Sequence, residues 1–402
     1  MRIVHLGKYY PPAPGGIEAH VQTLAKAQAA LGAKVTVLCV NHENRCGSSI
    51  RFPALTATPT VTTSDGAVQV TRVGRRASVA RFDLCPDLIS WMHLLKPACA
   101  DLIHLHVPNP TMLLALALKR PRVPLVVTYH SDVVRQKLLV HALRPAQRYV
   151  FARAAQILSD SPTYASGSAC LANYAHKVGV LPLGINLRPY LSPSAAALAF
   201  ARQLRAEHGS PLWLCVGRLV YYKGLPVALE ALRAVAGKLV VIGVGPLEAH
   251  LRKLAQEQGV ADRVVWLGYR SFDEVVGAFH AATALWFPSN ARSEGFGLVQ
   301  VEAMASGCPV INTAIAHSGV SWVSRHEETG LTVPINDPAA LAHAATRLLR
   351  ESGLRERLAH GARARAVHEF DHRLMAQRSV NLYRKILGDA DVEQEVPLRE
   401  SA

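Results

Sequence analysis

The sequence predicts an α/β protein built from two doubly wound domains that face each other across a cleft. The chain has 402 residues, which is long for a single core and suggests two domains of about 200 residues each. Short apolar runs of strand length alternate with helical runs in both halves, as is typical of parallel sheets covered by helices on both faces. A proline-rich segment at 182–194 separates the two halves.

The first half contains six runs that we expect to be strands. They cover residues 2–7, 34–40, 101–106, 124–130, 155–161 and 176–184. Helical periodicity marks 17–31 and about 109–118, while 138–154 has the pattern of a basic amphipathic helix. Pro145 is expected to kink or break that helix, because proline cannot donate the helical hydrogen bond. Residues 41–66 are rich in Ser, Thr, Pro and Asn, which predicts a long loop or a loose hairpin.

The alternation restarts after segment 182–194, whose three prolines and one glycine indicate a linker. Strands are expected at 211–217, 238–243, 263–268, 284–288 and 309–313. Helical runs separate them, and residues 337–387 are almost wholly helical. We therefore predict an N-terminal domain at 1–185, a C-terminal domain at 186–370 and a polar tail at 389–402.

The composition argues against several classes of protein. Half of the residues are apolar and 18% are charged, so the chain is not expected to be disordered. No apolar run approaches the roughly 18 residues of a membrane span, and His5 and Lys8 interrupt the start, unlike in a signal peptide. Seven cysteines are scattered without a Cys-x-x-Cys pair, which favours reduced thiols in a cytoplasmic protein over disulfides or a zinc site.

The net charge of +15 is concentrated in the first half. Residues 1–189 hold 21 basic and 8 acidic residues, and the densest part, 119–153, has eight basic residues against Asp132. A solvated basic face is the ordinary interpretation of such charge. Nucleic acid is a weak second, because the chain has no recognised binding motif and no interleaved aromatic residues. An anionic membrane surface or a phosphate-bearing acceptor is a third.

Ligands of open α/β sheets bind beyond the carboxyl ends of the strands, so the loops after strands hold the candidate site. Gly15 and Gly16 follow the first strand and let the backbone approach a ligand, while the helix behind them favours an anion. Arg218 and Lys223 follow the strand at 211–217 and are candidates to clamp a diphosphate, since both are cations at the ligand edge.

The segment SEGFGLVQVEAMASG, residues 293–307, places two carboxylates around a glycine turn and a helix. Glu294 precedes the turn, and Glu302 lies on the helix that follows it. An anion held at the helix N-terminus would lie between groups near the two carboxylates, as the diphosphate does between a sugar and a ribose. Either glutamate alone suits a helix cap or a solvated surface, but the pair together with Arg218 and Lys223 favours a donor site.

Three other patterns carry less weight. Residues 242–248 resemble the start of a dinucleotide fingerprint, but Glu248 replaces the third glycine, so an NAD enzyme is disfavoured. His104 and His106 share one strand face, and no third metal ligand is signalled, so no metal is expected. Residues 130–132 read His-Ser-Asp, but no Gly-x-Ser-x-Gly elbow supports a hydrolase.

Taken together, several motifs resemble the retaining family-4 glycosyltransferases of GT-B fold. The resemblance rests on the Glu294 and Glu302 pair with EGFG, GRLVYYKG at 217–224, GGIE at 15–18, YHSD at 129–132 and TGLTVP at 329–334. It covers nearly the whole chain and matches least well at 41–100. A narrower resemblance is to the bacterial mannosyl- and rhamnosyltransferases of cell-surface polysaccharide assembly.

The resemblance implies two Rossmann-like domains, with a last helix at about 371–388 that packs back on the first. It implies transfer of a hexose from a nucleoside diphosphate sugar, GDP-mannose or a relative, to a hydroxyl of a lipid-linked glycan with retention. The expected location is the cytoplasm, including the inner face of the plasma membrane. The alternatives are a catalytically inactive GT-B homologue that acts as a binding or scaffold protein, and a nucleotide-sugar epimerase.

The resemblance also implies roles for individual residues. Arg218 and Lys223 would bind the donor diphosphate and stabilise its departing charge. Glu294 would hold sugar hydroxyls, His130 would reach the donor sugar from the first domain, and Glu302 would bind the ribose. Further donor contacts would come from Gly15, Gly16, Tyr269, Arg270, Phe296, Gly297, Leu298 and Val299. No cofactor or metal is expected, because the two cations neutralise the leaving diphosphate.

Overall fold

The computed structural model describes residues 1–13, 15–44, 47–48, 57–79, 82–132 and 137–389. The described chain forms two parallel-stranded sheets, one from each half, and each sheet has helices on both faces. The α/β class with two doubly wound sheets is therefore confirmed.

The first sheet has eight strands. The strands of the first half are β1 Arg2–Leu6, β2 Lys34–Val40, β3 Glu43–Asn44, β4 Gly47–Ser48, β5 Val61–Asp65, β6 Val68–Val73, β7 Ala77–Val79, β8 Phe82–Leu84, β9 Leu102–Val107, β10 Leu125–Tyr129, β11 Gln156–Ser159 and β12 Val178–Val180. The sheet order is β12-β11-β10-β9-β1-β2-β6-β5, and every pair is parallel except the antiparallel β5–β6 hairpin at the edge. Strands β3–β4 and β7–β8 form two small hairpins apart from this sheet.

The second sheet has six strands, all of them parallel. They are β13 Leu212–Val216, β14 Lys238–Ile242, β15 Val264–Gly268, β16 Ala284–Phe287, β17 Val310–Thr313 and β18 Gly330–Val333. The order is β15-β14-β13-β16-β17-β18. The strand order reverses between β13 and β16 here, and between β1 and β9 in the first sheet. The loops after these four strands consequently border the crevices where such sheets bind ligands.

Sixteen α-helices lie within the described residues. They are α1 Gly16–Ala30, α2 Leu88–Trp91, α3 Pro110–Lys119, α4 Lys137–Arg153, α5 Pro162–Ser166, α6 Ala169–Ala172, α7 Arg188–Leu191, α8 Ala195–His208, α9 Leu225–Leu232, α10 Glu248–Glu257, α11 Phe272–Ala281, α12 Leu298–Ala305, α13 Val320–Val323, α14 Pro338–Arg350, α15 Leu354–Glu369 and α16 His372–Leu387. Several begin at sequence-encoded caps. The Asn109 side chain accepts from the backbone of Met112 at the start of α3, and Ser271 and Glu274 form a capping box on α11.

Two expectations about local structure were wrong. Helix α4 is not broken at Pro145. Pro145 is exposed, so the carbonyl that loses its helical partner can hydrogen-bond to water instead. The second error lies within 41–66, where residues 61–65 are not a loop but β5, which pairs with the unpredicted β6. Strand β5 is polar and mostly exposed, so it lacks the apolar pattern by which strands are recognised. Residues 45–46 and 49–56 of that segment lie outside the described residues.

The segment at 182–194, expected to be a linker, is packed rather than free. Leu183, Leu187 and Tyr190 are buried in a core of the second half. The chain returns beside it, since the N–H of Ile185 donates to the Phe370 carbonyl at 2.9 Å. The predicted domain limits at 185 and 370 stay a prediction, and the tail beyond residue 389 lies outside the described residues.

Helix α16 packs on α1 of the first half. The amide of Gln28 on α1 donates to the hydroxyl of Ser379 on α16 at 2.9 Å. Two apolar clusters fill each half, one on either face of its sheet. Trp213 and Trp286 stack within the second half with their ring centroids 5.1 Å apart. None of the described helices is both long and apolar enough to cross a membrane.

Candidate functional site

Loops at the carboxyl ends of the two sheets face each other across a cleft. Arg292, in the loop after β16, forms an ion pair with Asp132 of the first half, with 3.0 Å between Nη1 and Oδ2. The same guanidinium lies 4.5 Å from the ring centroid of Tyr164. The hydroxyl of Thr163 donates to the carbonyl of Ser318 at 3.0 Å. One small ligand can therefore contact both halves.

The loop between β13 and α9 is kept close to the neighbouring strand by glycine. Gly224 has a φ of +66°, and a Cβ there would lie 1.9 Å from the carbonyl oxygen of Pro288. A larger residue is therefore excluded, and the loop stays against the end of β16. Arg218 on this loop is exposed. The amine of Lys223 is directed to β16, 5.0 Å from the ring centroid of Phe287.

Lys223 and Glu294 form an ion pair at the centre of the cleft. The amine donates to the carboxylate with 2.6 Å between Nζ and Oε2. The hydroxyl of Ser289 donates to the same oxygen at 3.3 Å. The two side chains are 16% and 11% exposed, so the pair is partly desolvated but open to a ligand. A ligand that separates them must satisfy both charges, because an unpaired charge in this environment is costly.

Glu302 lies on the other side of Lys223. Burial raises the pKa of its carboxyl to about 7, while a hydrogen bond with Tyr190 and the charge of Lys223 act in the opposite direction. Lys223 thus contacts one carboxylate of the predicted pair directly and influences the other electrostatically. The structure brings Glu294, Glu302 and Lys223 together, as the sequence analysis expected.

Helix α12 starts between the two carboxylates. It begins directly after Gly297, whose φ of 79° places it in the left-handed region. The first N–H groups of a helix have no partner within it, so those of Leu298 and Val299 are available to an anion. An anion at this position would also lie near the amine of Lys223.

The first half contributes the start of α1. Gly15 and Gly16 are both exposed. The Glu18 carboxylate folds back over them, so that a Cβ on Gly15 would lie 2.1 Å from Glu18 Oε2. Burial raises the pKa of Glu18, and positive charges that include Arg218 oppose this shift. Glu18 thus occupies the helix N-terminus where an anion would bind. The GGIE motif contained it, but the sequence analysis gave it no role.

His130 lies at the boundary between the halves and is 6% exposed. Its Nδ1 is 3.2 Å from Asp160 Oδ2, and its Nε2 is 3.2 Å from His106 Nδ1. Both ring nitrogens therefore face the interior of the first half. Its backbone carbonyl faces the cleft loop, because a Cβ on Gly295 would lie 2.9 Å from this oxygen. The side chain of Phe296 is buried, so the backbone of that residue is the part a ligand could contact.

The predicted base-binding residues stand apart from this group. Tyr269 and Arg270 follow β15, which is two strands away from β13. Tyr269 is 82% exposed, and the guanidinium of Arg270 lies 3.7 Å from the Glu274 carboxylate. A base bound here would occupy the far end of a ligand whose other end lies at Glu294.

Behind the cleft, five histidines form a buried group that we call the histidine cluster. Its members are His5, His20, His104, His106 and His130. The expectation of no metal rested on the lack of a signal for a third ligand beside His104 and His106. The fold brings further histidines to them from β1, from α1 and from the residue after β10. Periodicity could not reveal this, because each element contributes only one or two members.

Two family models match the chain. Residues 15–184 match the model described as a glycosyl transferase 4-like domain. Residues 199–365 match the model described as glycosyl transferases group 1. The two matches together span both sheets and include the loops that border the cleft.

Relatives of known role align along almost the whole chain. It is 30% identical over 390 residues to the O-antigen chain mannosyltransferase C of Escherichia coli, covering 96% of this chain and 99% of that protein. It is 32% identical over 366 residues to the D-rhamnosyltransferase WbpZ of Pseudomonas aeruginosa, covering 91% of each.

Solved structures share the fold at lower sequence identity. Sucrose-phosphate synthase from Thermosynechococcus elongatus has a TM-score of 0.75 at 23% identity, covering 96% of this chain and 98% of its own. HepE from Anabaena, solved in complex with UDP, has a TM-score of 0.73 at 19% identity, covering 96% and 100%.

Proposed function

The chain belongs to the group 1, family-4-like glycosyltransferases of GT-B fold, and on this premise we propose that it moves a hexose from a nucleoside diphosphate sugar to an acceptor hydroxyl with retention of configuration. Its mannosyltransferase and rhamnosyltransferase relatives favour GDP-mannose or a related donor. The name of the Escherichia coli relative refers to O-antigen, so the proposed acceptor is a lipid-linked glycan of cell-surface polysaccharide biosynthesis.

The observation that carries this proposal is the position of Lys223. It lies between two carboxylates and beside the N-terminus of α12. A diphosphate bound at that helix end would become the new partner of Lys223. Glu294 would then be free to accept hydrogen bonds from the sugar hydroxyls, and Glu302 would accept those of the ribose.

In the proposed reaction, the main contribution of the protein is electrostatic. The bond from the anomeric carbon to the diphosphate breaks, and negative charge develops on the diphosphate. Arg218, Lys223 and the first N–H groups of α12 stabilise that charge. Retention is consistent with attack from the face of the leaving group, where the departing phosphate accepts the proton of the acceptor hydroxyl. His130 stays a candidate through its backbone carbonyl beside Gly295, while its ring positions the loop.

Arg218→Ala tests the donor site. We expect turnover to fall about 100-fold, because Arg218 stabilises the departing charge, while the melting temperature changes little because the side chain is exposed. Release of GDP from a GDP-sugar is the measurement. Arg202→Ala, an exposed arginine on α8, is the matched control. Equal rates for Arg218→Ala and wild type would contradict the proposed clamp.

The base can be identified by thermal shift with GDP, UDP, ADP and dTDP. We expect GDP to raise the melting temperature most, because a ligand that binds only the folded state stabilises it. No shift with any of the four would contradict a donor site. Binding of GDP without transfer from any GDP-sugar would instead support the inactive homologue.

A basic surface on the first half supports an acceptor at an anionic membrane. The charges are carried by exposed residues at the end of α3 and on α4, namely Lys119, Arg120, Arg122, Arg144 and Arg148. The two helices pack together, and the Arg120 guanidinium lies 5.0 Å from the ring centroid of Tyr149 on α4. Leu118 beside them is 71% exposed. The acidic residue in this stretch, Asp132, does not offset these charges, because it pairs with Arg292 in the cleft.

Co-sedimentation with vesicles of phosphatidylglycerol at low salt tests this surface. We expect the wild type to bind and Arg144→Ala with Arg148→Ala to bind at least 10-fold more weakly, since each surface charge contributes about 1 kcal/mol. Lys253→Ala on α10 of the other half is the control and should bind like the wild type. If wild-type protein stays in the supernatant, the membrane proposal fails.

A further inference from the structure

The histidine cluster lies in a core that is otherwise mostly apolar. Its five side chains come from β1, α1, β9 and the residue after β10, and each is at most 6% exposed. The sugar-transfer proposal uses only one of them. The positions of the protons in this cluster can be worked out from its hydrogen bonds.

The starting point is helix α16. The hydroxyl of Ser379 donates to the backbone carbonyl of Ala376 at 2.7 Å. It therefore accepts from Gln28 Nε2, which lies 2.9 Å away. This fixes the orientation of the Gln28 amide, so its oxygen faces His5 Nε2 at 2.7 Å. His5 consequently carries a proton on Nε2.

The proton positions follow from there to the cleft. Burial lowers the pKa of His5 to about 4, so the ring is neutral and its Nδ1 is bare. His106 Nε2, 3.0 Å from that nitrogen, must therefore donate to it, which leaves Nδ1 of His106 bare. His130 donates its Nδ1 proton to Asp160. In its neutral form, Nε2 of His130 then faces Nδ1 of His106 at 3.2 Å with a lone pair on each. Lone pairs at this distance repel unless a positive centre lies between them.

His20 identifies that centre. Both of its ring nitrogens are buried and have no hydrogen-bond partner within the described part of the chain. Its ring centroid lies 5.1 Å from that of His130 and 5.5 Å from that of His106. One nitrogen from each of these three residues lies within 4.8 Å of the other two. A proton shared by His106 and His130 would leave His20 unsatisfied, whereas a metal ion satisfies all three rings.

We propose that His20, His106 and His130 bind one divalent transition-metal ion, with zinc as the best match. Tetrahedral zinc with bonds of 2.0–2.1 Å holds its nitrogen ligands about 3.3 Å apart, close to the separation of His106 and His130. The outer contacts that such ligands normally have are already present. Asp160 accepts from His130, and His5 accepts from His106.

The other histidine triad is a weaker candidate. His5, His104 and His106 also approach one another, but the nitrogens of His104 have other partners. They lie 2.6 Å from the hydroxyl of Tyr383 and 2.6 Å from that of Thr128. The proposed ion would therefore join α1 to the ends of β9 and β10, directly behind the loops of the cleft.

Metal analysis of the untagged, full-length protein tests the proposal, because a polyhistidine tag would itself bind metal. Protein equilibrated with zinc and then dialysed is measured by mass spectrometry. We expect about one zinc per chain in the wild type, less than a tenth of that in His20→Ala, and wild-type content in His250→Ala, an exposed control on α10. Wild-type protein without zinc, or full zinc content in His20→Ala, would overturn the proposal.

A second measurement keeps the proposal testable if His20→Ala does not fold. Cobalt added to chelator-treated wild type should give the strong visible absorption of a tetrahedral site, and zinc should displace it. Absence of that absorption would also overturn the proposal. Neither measurement uses a nucleotide, so loss of the metal site and loss of sugar transfer can be told apart.

Discussion

The carboxyl group of Glu302 holds its proton more tightly in the folded protein than in the unfolded chain. Burial raises its pKa from the ordinary 4.5 to about 7. A group with a raised pKa favours the folded state only while it is protonated. The contribution of Glu302 to stability is therefore complete below about pH 4.5 and is lost as the pH rises through about 7.

Glu302→Gln should accordingly stabilise the protein at high pH and not at low pH. The amide has no charge to bury, so we expect a gain of about 1–3 kcal/mol at pH 8 and almost none at pH 5. Urea unfolding at the two pH values measures this. Glu356→Gln, at an exposed position on α15, should change stability equally little at both. An equal gain from Glu302→Gln at pH 5 and pH 8 would contradict the pKa shift.

The same titration should appear in donor binding. Protonated Glu302 has fewer acceptor positions for ribose hydroxyls, so we expect the Kd for GDP to rise as the pH falls below about 7. Calorimetric titration between pH 5.5 and 8.5 measures this. Glu302→Gln should bind GDP more weakly and lose the dependence near pH 7. A wild-type Kd that is constant over this range would argue against contact of Glu302 with the ribose.

The sequence predicted the pair of glutamates but not how their charges are balanced. Their spacing around Gly297 places both near the start of a helix, which is a local property. The contact between Lys223 and Glu294 depends instead on β13 and β16 being neighbours. Strand order is a long-range property that periodicity does not contain.

At the scale of secondary structure, the β7–β8 hairpin is attached to the first half by a buried ion pair. Arg75, which follows β6, lies 3.4 Å from Asp83 on β8, and the two side chains are 1% and 0% exposed. The hydroxyl of Tyr9 donates to the same carboxylate at 3.0 Å. This segment is part of 41–100, where the sequence resemblance was weakest, and a short hairpin with a charged pair has no apolar pattern to reveal it.

Arg75→Met should therefore destabilise the protein strongly. Removing one partner leaves the Asp83 charge buried without compensation, at a cost of about 3–5 kcal/mol. Urea unfolding measures the loss, and Arg76→Ala, at an exposed neighbouring position, serves as the control. Adding Asp83→Leu to Arg75→Met should recover much of the stability. A double variant no more stable than Arg75→Met would contradict the assignment of the loss to an unpaired charge.

For the whole molecule, Arg292 is the side chain that makes several contacts across the cleft. Besides Asp132 and Tyr164 of the first half, it contacts the carbonyl of His317 in its own half at 3.0 Å. Its ion pair and its contact with the aromatic ring together contribute about 1–2 kcal/mol to closure, since both groups are partly exposed.

Arg292→Ala should shift the two halves toward an open arrangement. A loss of 1–2 kcal/mol changes an open–closed equilibrium roughly 5- to 30-fold, so we expect a larger radius of gyration and a higher KM for the donor. Small-angle X-ray scattering and initial rates measure these effects. Arg233→Ala, at an exposed position just after α9, should change neither. An unchanged radius of gyration in Arg292→Ala would mean that other contacts maintain closure.

The general architecture was predictable because it follows from local patterns. Alternating apolar runs predicted two doubly wound sheets, and the linker composition indicated where the halves meet. The histidine cluster was not predictable in the same way. His5, His20 and His106 lie on β1, α1 and β9, and only the strand order and helix packing of the folded chain bring them together.

The path of helix α16 has a consequence for synthesis on the ribosome. The hydroxyl of Tyr383 lies 2.6 Å from His104 Nδ1, and Ser379 bonds to Gln28, so two of the last side chains to be made complete the interior of the part made first. Until they emerge, Gln28 and His104 wait without those partners while the entire second sheet is being translated. A nonsense mutation just before residue 372 would therefore leave its structural damage in the opposite half of the protein from the one it shortens.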